Sequence, residues 1–562
     1  MKRIIAILLT LALCFAVAAC GGNQAAPAPD SGGGTTSGGA TGGGTTTGGG
    51  TTGGGTTTGG NAPGGEGALE PDVVIQAPEG DDVRYADLID IMVDNTITAI
   101  DPLNPAATSP GVRTIYFLIY DKLVERTRDG DYIPNLATSW ETNDLQNYTF
   151  NLRDDVYFHN GDKFTAQSVI DTVAAAREAP GSTAFEAWRS LDTISAVDEY
   201  TIQIALNAPN ADFLYNMSLP GGSIINKAAR EADPVEGVWV GTGAFYVDDF
   251  VAGDTTLLTR NDNYWGELPL TRQLIFRFVP EVAARAIMLI NGECHAAFEV
   301  GIEDIQFFVD SPDFTVYRNS GNTAHGIAFN MNDPITGDLN FRKAVAHALD
   351  VDVLALVGAG EWGMAAPDGA FWGNTTDFRN TAIPRLQYDP DLAKQYLADS
   401  SYKGEEVEIV VAIYTLLRAA ELIQEQLGAV GINVRLFQTD APTLQSYATY
   451  EGNQAQMTLH IFPFNTGAST SRNFFYPGGA HNRASYNNPA VSELLNKAPT
   501  VADRGEREAI YAQIQEIVAE DLPFINLFYR IHAQVTNGKL GGIILDHDNN
   551  HDYRGIFMVL DD

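Results

Sequence analysis

Cysteine is almost absent: 562 residues carry three, at positions 14, 20 and 294. Two of them lie in an amino-terminal export segment described below, which leaves Cys294 with no partner in the chain. No disulfide framework can hold such a protein, so hydrophobic cores must. Positive charge is scarce too. There are 34 Lys and Arg against 71 Asp and Glu, a net charge of −37. That balance argues against nucleic acid as a partner and against docking of the body on anionic lipid. It carries no information about fold. Beyond residue 19 no apolar run approaches the roughly 20 residues that a bilayer span needs. Catalytic signatures are missing as well: there is no His-Glu-x-x-His, no Gly-x-Ser-x-Gly and no phosphate-binding Gly-x-x-x-x-Gly-Lys-Ser/Thr. Carboxylate pairs are common, but in so acidic a chain they point to nothing.

The chain does hold ample apolar material. At 44% hydrophobic and 10% aromatic residues, it can fill large cores. Lys2 and Arg3 precede the apolar run Ile4 to Ala19, and Val17-Ala18-Ala19-Cys20 closes it. A basic start, an apolar middle and small residues at the end form an export signal. The cysteine at its end resembles a bacterial lipobox, which implies cleavage before Cys20 and diacylation of that residue. An ordinary signal peptide with an incidental cysteine is the competing reading. Residues 32–60 contain only Gly, Thr, Ser and Ala. Such a segment has nothing to bury and cannot recover the entropy of ordering. From Cys20 to Glu66 it is expected to act as a flexible leash with a reach of roughly 35–40 Å.

The body of about 500 residues that follows is long enough for two or three domains. Its periodicities alternate between strand and helix. Ile89–Val93, Asn147–Leu152 and Tyr200–Leu206 read as strands. Thr165 is placed to cap a helix bearing Val169, Ile170 and Val173. Phe341, Val345, Ala348 and Leu349 share one helical face. Glu408–Ile413, a helix bearing Ile423, Leu427 and Val430, and Ile432–Leu436 form a β–α–β unit with parallel strands. Asp503 opens a further helix, Pro523 lies past its end, and Ile525–Phe528 resumes as a strand. The polar Arg153-Asp154-Asp155 between two strand runs reads as a hairpin, and Asn160-Gly161 as a turn.

Several segments, taken in order, resemble the large solute-binding proteins of ATP-driven importers, the group of oligopeptide-, dipeptide- and nickel-binding receptors. They include Tyr120–Val124, Pro134–Trp140, Tyr148–Gly161, Gly241–Phe245, Asn261–Trp265, Phe341–Asp350 and Leu522-Pro523-Phe524. The resemblance implies an α/β, periplasmic-binding-protein-like (type II) two-lobe fold with an extra domain inserted in the first lobe. The parts would be a signal peptide at 1–19, a linker at 20–66, lobe I at 85–127, 236–325 and 526–562, the inserted domain at 128–235, and lobe II at 326–525. It implies a monomer without cofactor, tethered outside the membrane by its lipid. Its partners would be a small solute and the permease and ATPase subunits of an importer. A sensor lipoprotein that kept the fold but lost transport, and an exported hydrolase, are the alternatives from other classes.

In peptide-binding members of this group an aspartate pairs with the ligand's α-ammonium. The corresponding stretch here is His460–Gly467, and no Asp or Glu occurs from Gln454 to Tyr486. This departure leads to the expectation that binding does not require a charged amine, and it keeps an oligosaccharide open as the alternative to a peptide-like cargo. Phe462 and Phe464 are candidates for an apolar wall and Asn465 for a neutral hydrogen bond, against the reading that both rings are core. Trp362, Phe371 and Trp372 are candidate cleft aromatics in a loop rich in Gly, Ala and Pro. Asn322, Thr323 and His325 are candidate contacts beside a lobe crossing. The acidic run from Asp546 to Asp552 fails as a calcium loop, because its sixth position is His551 rather than Gly and its twelfth is Phe557.

Overall fold

The computed structural model describes residues 68–69, 75–78, 83–107, 109–127, 129–301, 304–319, 322–412, 416–545 and 551–560. Cys20, the signal segment and the Gly/Thr-rich leash lie outside the described residues. So do Ile413 and most of the acidic run, His547 included.

The described residues build two large mixed sheets, a four-stranded antiparallel sheet and two small antiparallel pairs. Strand Leu88–Val93 sits inside the first sheet. It runs parallel to Gln273–Phe278 on one side and to Ala296–Phe298 on the other. Five of its six residues are buried, as expected for a strand covered on both faces. Helix Pro110–Ile119 packs over this sheet. Ser109 caps it by accepting a hydrogen bond from Val112 N, and Pro110 fits the first turn, where its missing N–H is not needed.

The second sheet is ordered Gly363–Ala365, Phe524–Arg530, Thr323–Phe329, Met457–Pro463, Glu406–Val411 and Asn433–Gln438. Its last two strands are parallel and joined by helix Leu417–Ala429, so the expected β–α–β unit is present. Helix Arg504–Asp521 begins at Asp503, whose side chain accepts from Glu506 N. Between two segments of the first sheet, Leu88–Val93 and Phe245–Val251, the chain forms a four-stranded antiparallel sheet, Ala137–Glu141, Asn147–Leu152, Thr201–Leu206 and Leu191–Asp198. Helix Ala166–Arg177 accompanies it, with Thr165 and Ser168 forming a reciprocal capping box.

Two details depart from the sequence reading. Strand Asn147–Leu152 pairs with Ala137–Glu141 and Thr201–Leu206, so Arg153–Asp155 is no hairpin. The tight reversal is at Asn160-Gly161, where Gly161 has φ of 87° and Tyr157 bridges to Lys163. The lobe crossings also move. Strands Thr323–Phe329 and Phe524–Arg530 belong wholly to the second sheet, while Phe314–Asn319 and His532–Asn537 belong to the first. The chain therefore changes sheets between Asn319 and Thr323 and across Ile531, not at 325/326 and 525/526. Both crossings are polar in sequence, Arg318-Asn319-Ser320-Gly321-Asn322-Thr323 and Arg530-Ile531-His532, and each lies a few residues from the expected boundary. At Gly241 and Gly243 the need is for contact between backbones: a Cβ on Gly241 would lie 1.9 Å from Ile119 O.

Candidate functional site

Three adjacent parallel strands of the first sheet end at the same place. Val93 is followed by Asp94, Phe278 by Val279 and Pro280, and Phe298 by Glu299. Open α/β sheets bind ligands beyond the carboxyl ends of their strands. A cavity of about 640 Å³ lies there, within the usual range for small-molecule sites. The first lobe contributes Asp94, Pro110, Thr114, Arg285, Glu299 and His532 to its wall. The second contributes His325, Gly358, Ala359, Leu416 and Arg530. Both crossing strands thus border the cavity.

Glu299 organises the charges. It has a left-handed backbone (φ 53°), an uncommon conformation for a residue other than glycine. Its carboxylate accepts from Arg530, the last residue of the second sheet's strand, at 3.1 Å and pairs closely with Nδ1 of His532, the first residue of the returning strand. One carboxylate therefore grips both sides of the Ile531 crossing. Its carbonyl oxygen is held by the buried Arg285, whose other N–H groups go to the carbonyls of Val279 and Pro280. Burial alone would raise the Glu299 carboxyl, but His532, Arg530 and Arg285 outweigh it and hold it at about 2. Burial alone would lower His532; the Glu299 charge reverses this and raises it. His325 and His551 are pushed down to about 3, first by burial and then by the cationic neighbours, so both are neutral at ordinary pH. The His325 ring stacks on Phe528 at 4.8 Å and His551 on Phe298 at 5.1 Å.

A second contact zone joins the lobes away from this cavity. Arg126 donates to both oxygens of Asp377, at 2.8 and 2.9 Å. Ala211 N donates to Pro499 O at 2.7 Å, and the Tyr215 ring covers Gly467, where a Cβ would lie 2.5 Å from it. Burial raises Asp212, in the same zone, to about 6. Another cavity, of about 840 Å³, opens beside these residues.

Of the nine ligand candidates named from sequence, His325 lines the first cavity and Asn465 the second. The other seven line neither. Asn322 braces a loop, its side-chain oxygen accepting from both N and Oγ1 of Thr375 at 2.7 Å, and Thr323 pairs with Pro463 in the sheet. Phe371, Trp372, Phe462 and Phe464 are packed in one aromatic core of the second lobe. Phe371 stacks on Phe524 at 4.5 Å and Phe464 on Phe474 at 4.2 Å, while Trp372 Nε1 donates to Asp377 O at 3.1 Å. Trp362 is buried among first-lobe residues such as Met92 and Cys294, with the Arg318 guanidinium over its ring. These rings are taken up by packing. Sequence reasoning missed Asp94, Arg285, Glu299, Arg530 and His532. The usable signal was position: Asp94 directly follows the largely apolar, buried strand Leu88–Val93, where the strand-end rule places ligands.

Comparison with known proteins agrees with this architecture. The profile of the bacterial extracellular solute-binding proteins, family 5 (middle region), matches residues 131–486. Heme-binding protein A of Haemophilus influenzae is 27% identical over 474 residues, covering 76% of this chain and 84% of the relative. The nickel-binding periplasmic protein of Escherichia coli is 23% identical, covering 79% and 90%. Among solved structures, HbpA2 from Haemophilus parasuis superposes with a TM-score of 0.75 at 21% identity, covering 84% of this chain and all of that one. The periplasmic binding protein DppA from Helicobacter pylori, in complex with the peptide STSA, gives 0.70 at 24%, covering 84% and 98%.

Proposed function

This chain belongs to the family 5 extracellular solute-binding proteins of ATP-driven importers, and from that premise we propose that it is a lipid-anchored receptor delivering a peptide or peptide-like solute to its permease. The observation that carries this reading is the cavity of about 640 Å³ whose wall comes from both lobes and from both crossing strands. A solute held there touches both lobes only when they are closed. It therefore favours the closed form by its differential contacts, and closure is the signal a permease can read. Acylation at Cys20 keeps the receptor near its permease and raises the local concentration. The sugar alternative rests on the missing second-lobe carboxylate and on the aromatic residues, and it loses the second of these supports because those rings are packed in the cores.

Mass spectrometry of solute released from protein purified without denaturation tests the cargo. Short peptides or peptide-like compounds are expected, and oligosaccharide alone would overturn the reading. The anchor is tested by the amino-terminal peptide, which should begin at Cys20 and carry a diacylglyceryl mass. Cys20→Ala should move the protein to the soluble fraction, and unchanged membrane retention would count against the anchor.

A further inference from the structure

Resting on the reading of the lobes as closing on solute, a finer assignment follows from the second contact zone, where Asp212 sits. Asp212 opens helix Phe213–Ser218, which packs on the four-stranded sheet. Its carboxylate does not cap that helix. It faces the second lobe instead, where it meets the Ser469 side chain and the like charge of Asp377. The preceding residue is tied to that lobe by the Ala211 N to Pro499 O bond of 2.7 Å, and the Tyr215 ring, one turn further on, covers Gly467. These contacts enclose Asp212 only while the lobes are together. The bases around it are engaged elsewhere. Arg126 is bidentate to Asp377, Arg504 reaches the same carboxylate at 3.9 Å, and Arg507 donates to the carbonyls of Val501 and Ala502 at 2.9 and 3.0 Å. Arg472 donates to Asn496 Oδ1 at 2.8 Å, and Glu186 and Arg189, beside the adjoining helix, pair with each other at 3.3 Å. Asp212 itself forms no ion pair among the described residues. The phenols that face it, Tyr132, Tyr148 and Tyr511, are kept protonated by burial.

We propose that Asp212 is a positioning residue that sets how readily the lobes close: as a carboxylate it opposes their contact, and once protonated it permits it. Enclosing an unpaired carboxylate opposite a second one costs free energy that a proton removes. Burial, with the Asp377 charge added to it, raises the Asp212 carboxyl to about 6 in the closed form, although Arg507, Ser469 and Arg126 draw it down. In the open form water reaches the side chain, which returns to its ordinary 3.8. Closure therefore takes up a proton between these two values, is opposed above pH 6 and is eased as pH falls. From pH 8 to pH 5 the closing constant, and with it solute affinity, should rise about tenfold through this residue. The Glu299–His532 pair titrates in part of the same interval, so the Asp212 share is the difference between the wild type and a variant lacking that carboxylate.

The test is calorimetric titration at pH 5 and pH 8 of the mature wild type, Asp212→Asn and Asp212→Ser, each stripped of solute in urea and refolded. The probe is the solute extract that urea releases from the wild type. Neither substitution removes a helix cap, so both variants should melt as the wild type does. At pH 8 both should bind the extract at least tenfold more tightly than the wild type, and that gap should narrow about tenfold at pH 5. A damaged fold does not produce a gain in affinity, and a merely structural Asp212 would not give the variants a different pH profile. Parallel pH profiles in all three proteins, or variants that bind no more tightly than the wild type at pH 8, overturn the proposal and leave the receptor reading intact. An extract that binds none of the three proteins defeats the receptor reading itself, and the proposal falls with it.

Discussion

Glu299→Gln removes the charge that spans the Ile531 crossing, and its effect can be worked out from the geometry. Two charge-assisted bonds are lost. Each contributes about 1.5–3 kcal/mol when shielded from water. Arg530 is 41% exposed, so its share is screened and falls to roughly 0.5 kcal/mol. His532 is 25% exposed and keeps a larger share, but on losing Glu299 it can shed its proton instead of remaining an unpaired cation. The expected loss is about 2 kcal/mol. Its pH dependence follows from the two directions. The folded-state value of Glu299 lies below its ordinary 4.5, so its contribution is present above 4.5 and disappears as pH falls toward about 2. His532 is raised above its ordinary 6.5, so its contribution is complete below 6.5 and disappears as pH rises through the folded value. The pair therefore stabilises fully only between about 4.5 and 6.5. Urea denaturation at pH 5.5 should show the full difference between wild type and variant, and the difference should shrink at pH 9. Long-range proton–nitrogen NMR should find His532 titrating above 6.5 in the wild type and below it in the variant. An equal difference at both pH values, or an unmoved His532, would refute the reasoning.

Other consequences are simpler to check. Arg126→Ala and Asp377→Ala, alone and together, should show coupling of about 1–2 kcal/mol in solute affinity, because this largely buried pair (side chains 13% and 23% exposed) joins the lobes in the closed form; additive effects would deny it that role. Phe464→Ala should lower stability by about 3–5 kcal/mol in denaturant melts while the folded fraction binds solute normally, since the ring stacks on Phe474 in the core rather than lining either cavity. Gly241→Ala places a methyl 1.9 Å from Ile119 O and should lower the melting temperature by several degrees or prevent soluble expression. Burial pushes the Cys294 thiol up to about 12, so peptide-mapped iodoacetamide labelling should leave it unmodified until the protein is unfolded.

Local elements were readable from sequence because their causes are local. Thr165 and Asp503 cap helices by bonds to residues three positions on, and the alternation in Asn147–Leu152 sets which face is buried. The order of segments gave the fold class through resemblance. The site was harder, since it is assembled from strand ends far apart in sequence: Asp94, Glu299 and Arg530 meet only after the sheets form. Aromatic residues in a Gly- and Pro-rich loop looked like a cleft wall, yet Phe371 and Trp372 are drawn into the second-lobe core by Phe524 and Phe475. Composition cannot distinguish a ring facing solute from a ring facing other rings. The lobe crossings were misplaced by several residues although polar runs mark them: Asn319–Thr323 leads into the buried strand Thr323–Phe329, and Arg530-Ile531-His532 ends the buried strand Phe524–Arg530.

The central claim is that two lobes close on a solute and release it unaltered. Small-angle X-ray scattering of the mature protein, before and after adding back the solute released from it, addresses this most directly when the same sample is then examined by mass spectrometry. The radius of gyration should fall on addition, and the solute recovered afterwards should have its original mass. Unchanged dimensions at saturating solute, or a recovered product of different mass, would contradict the account.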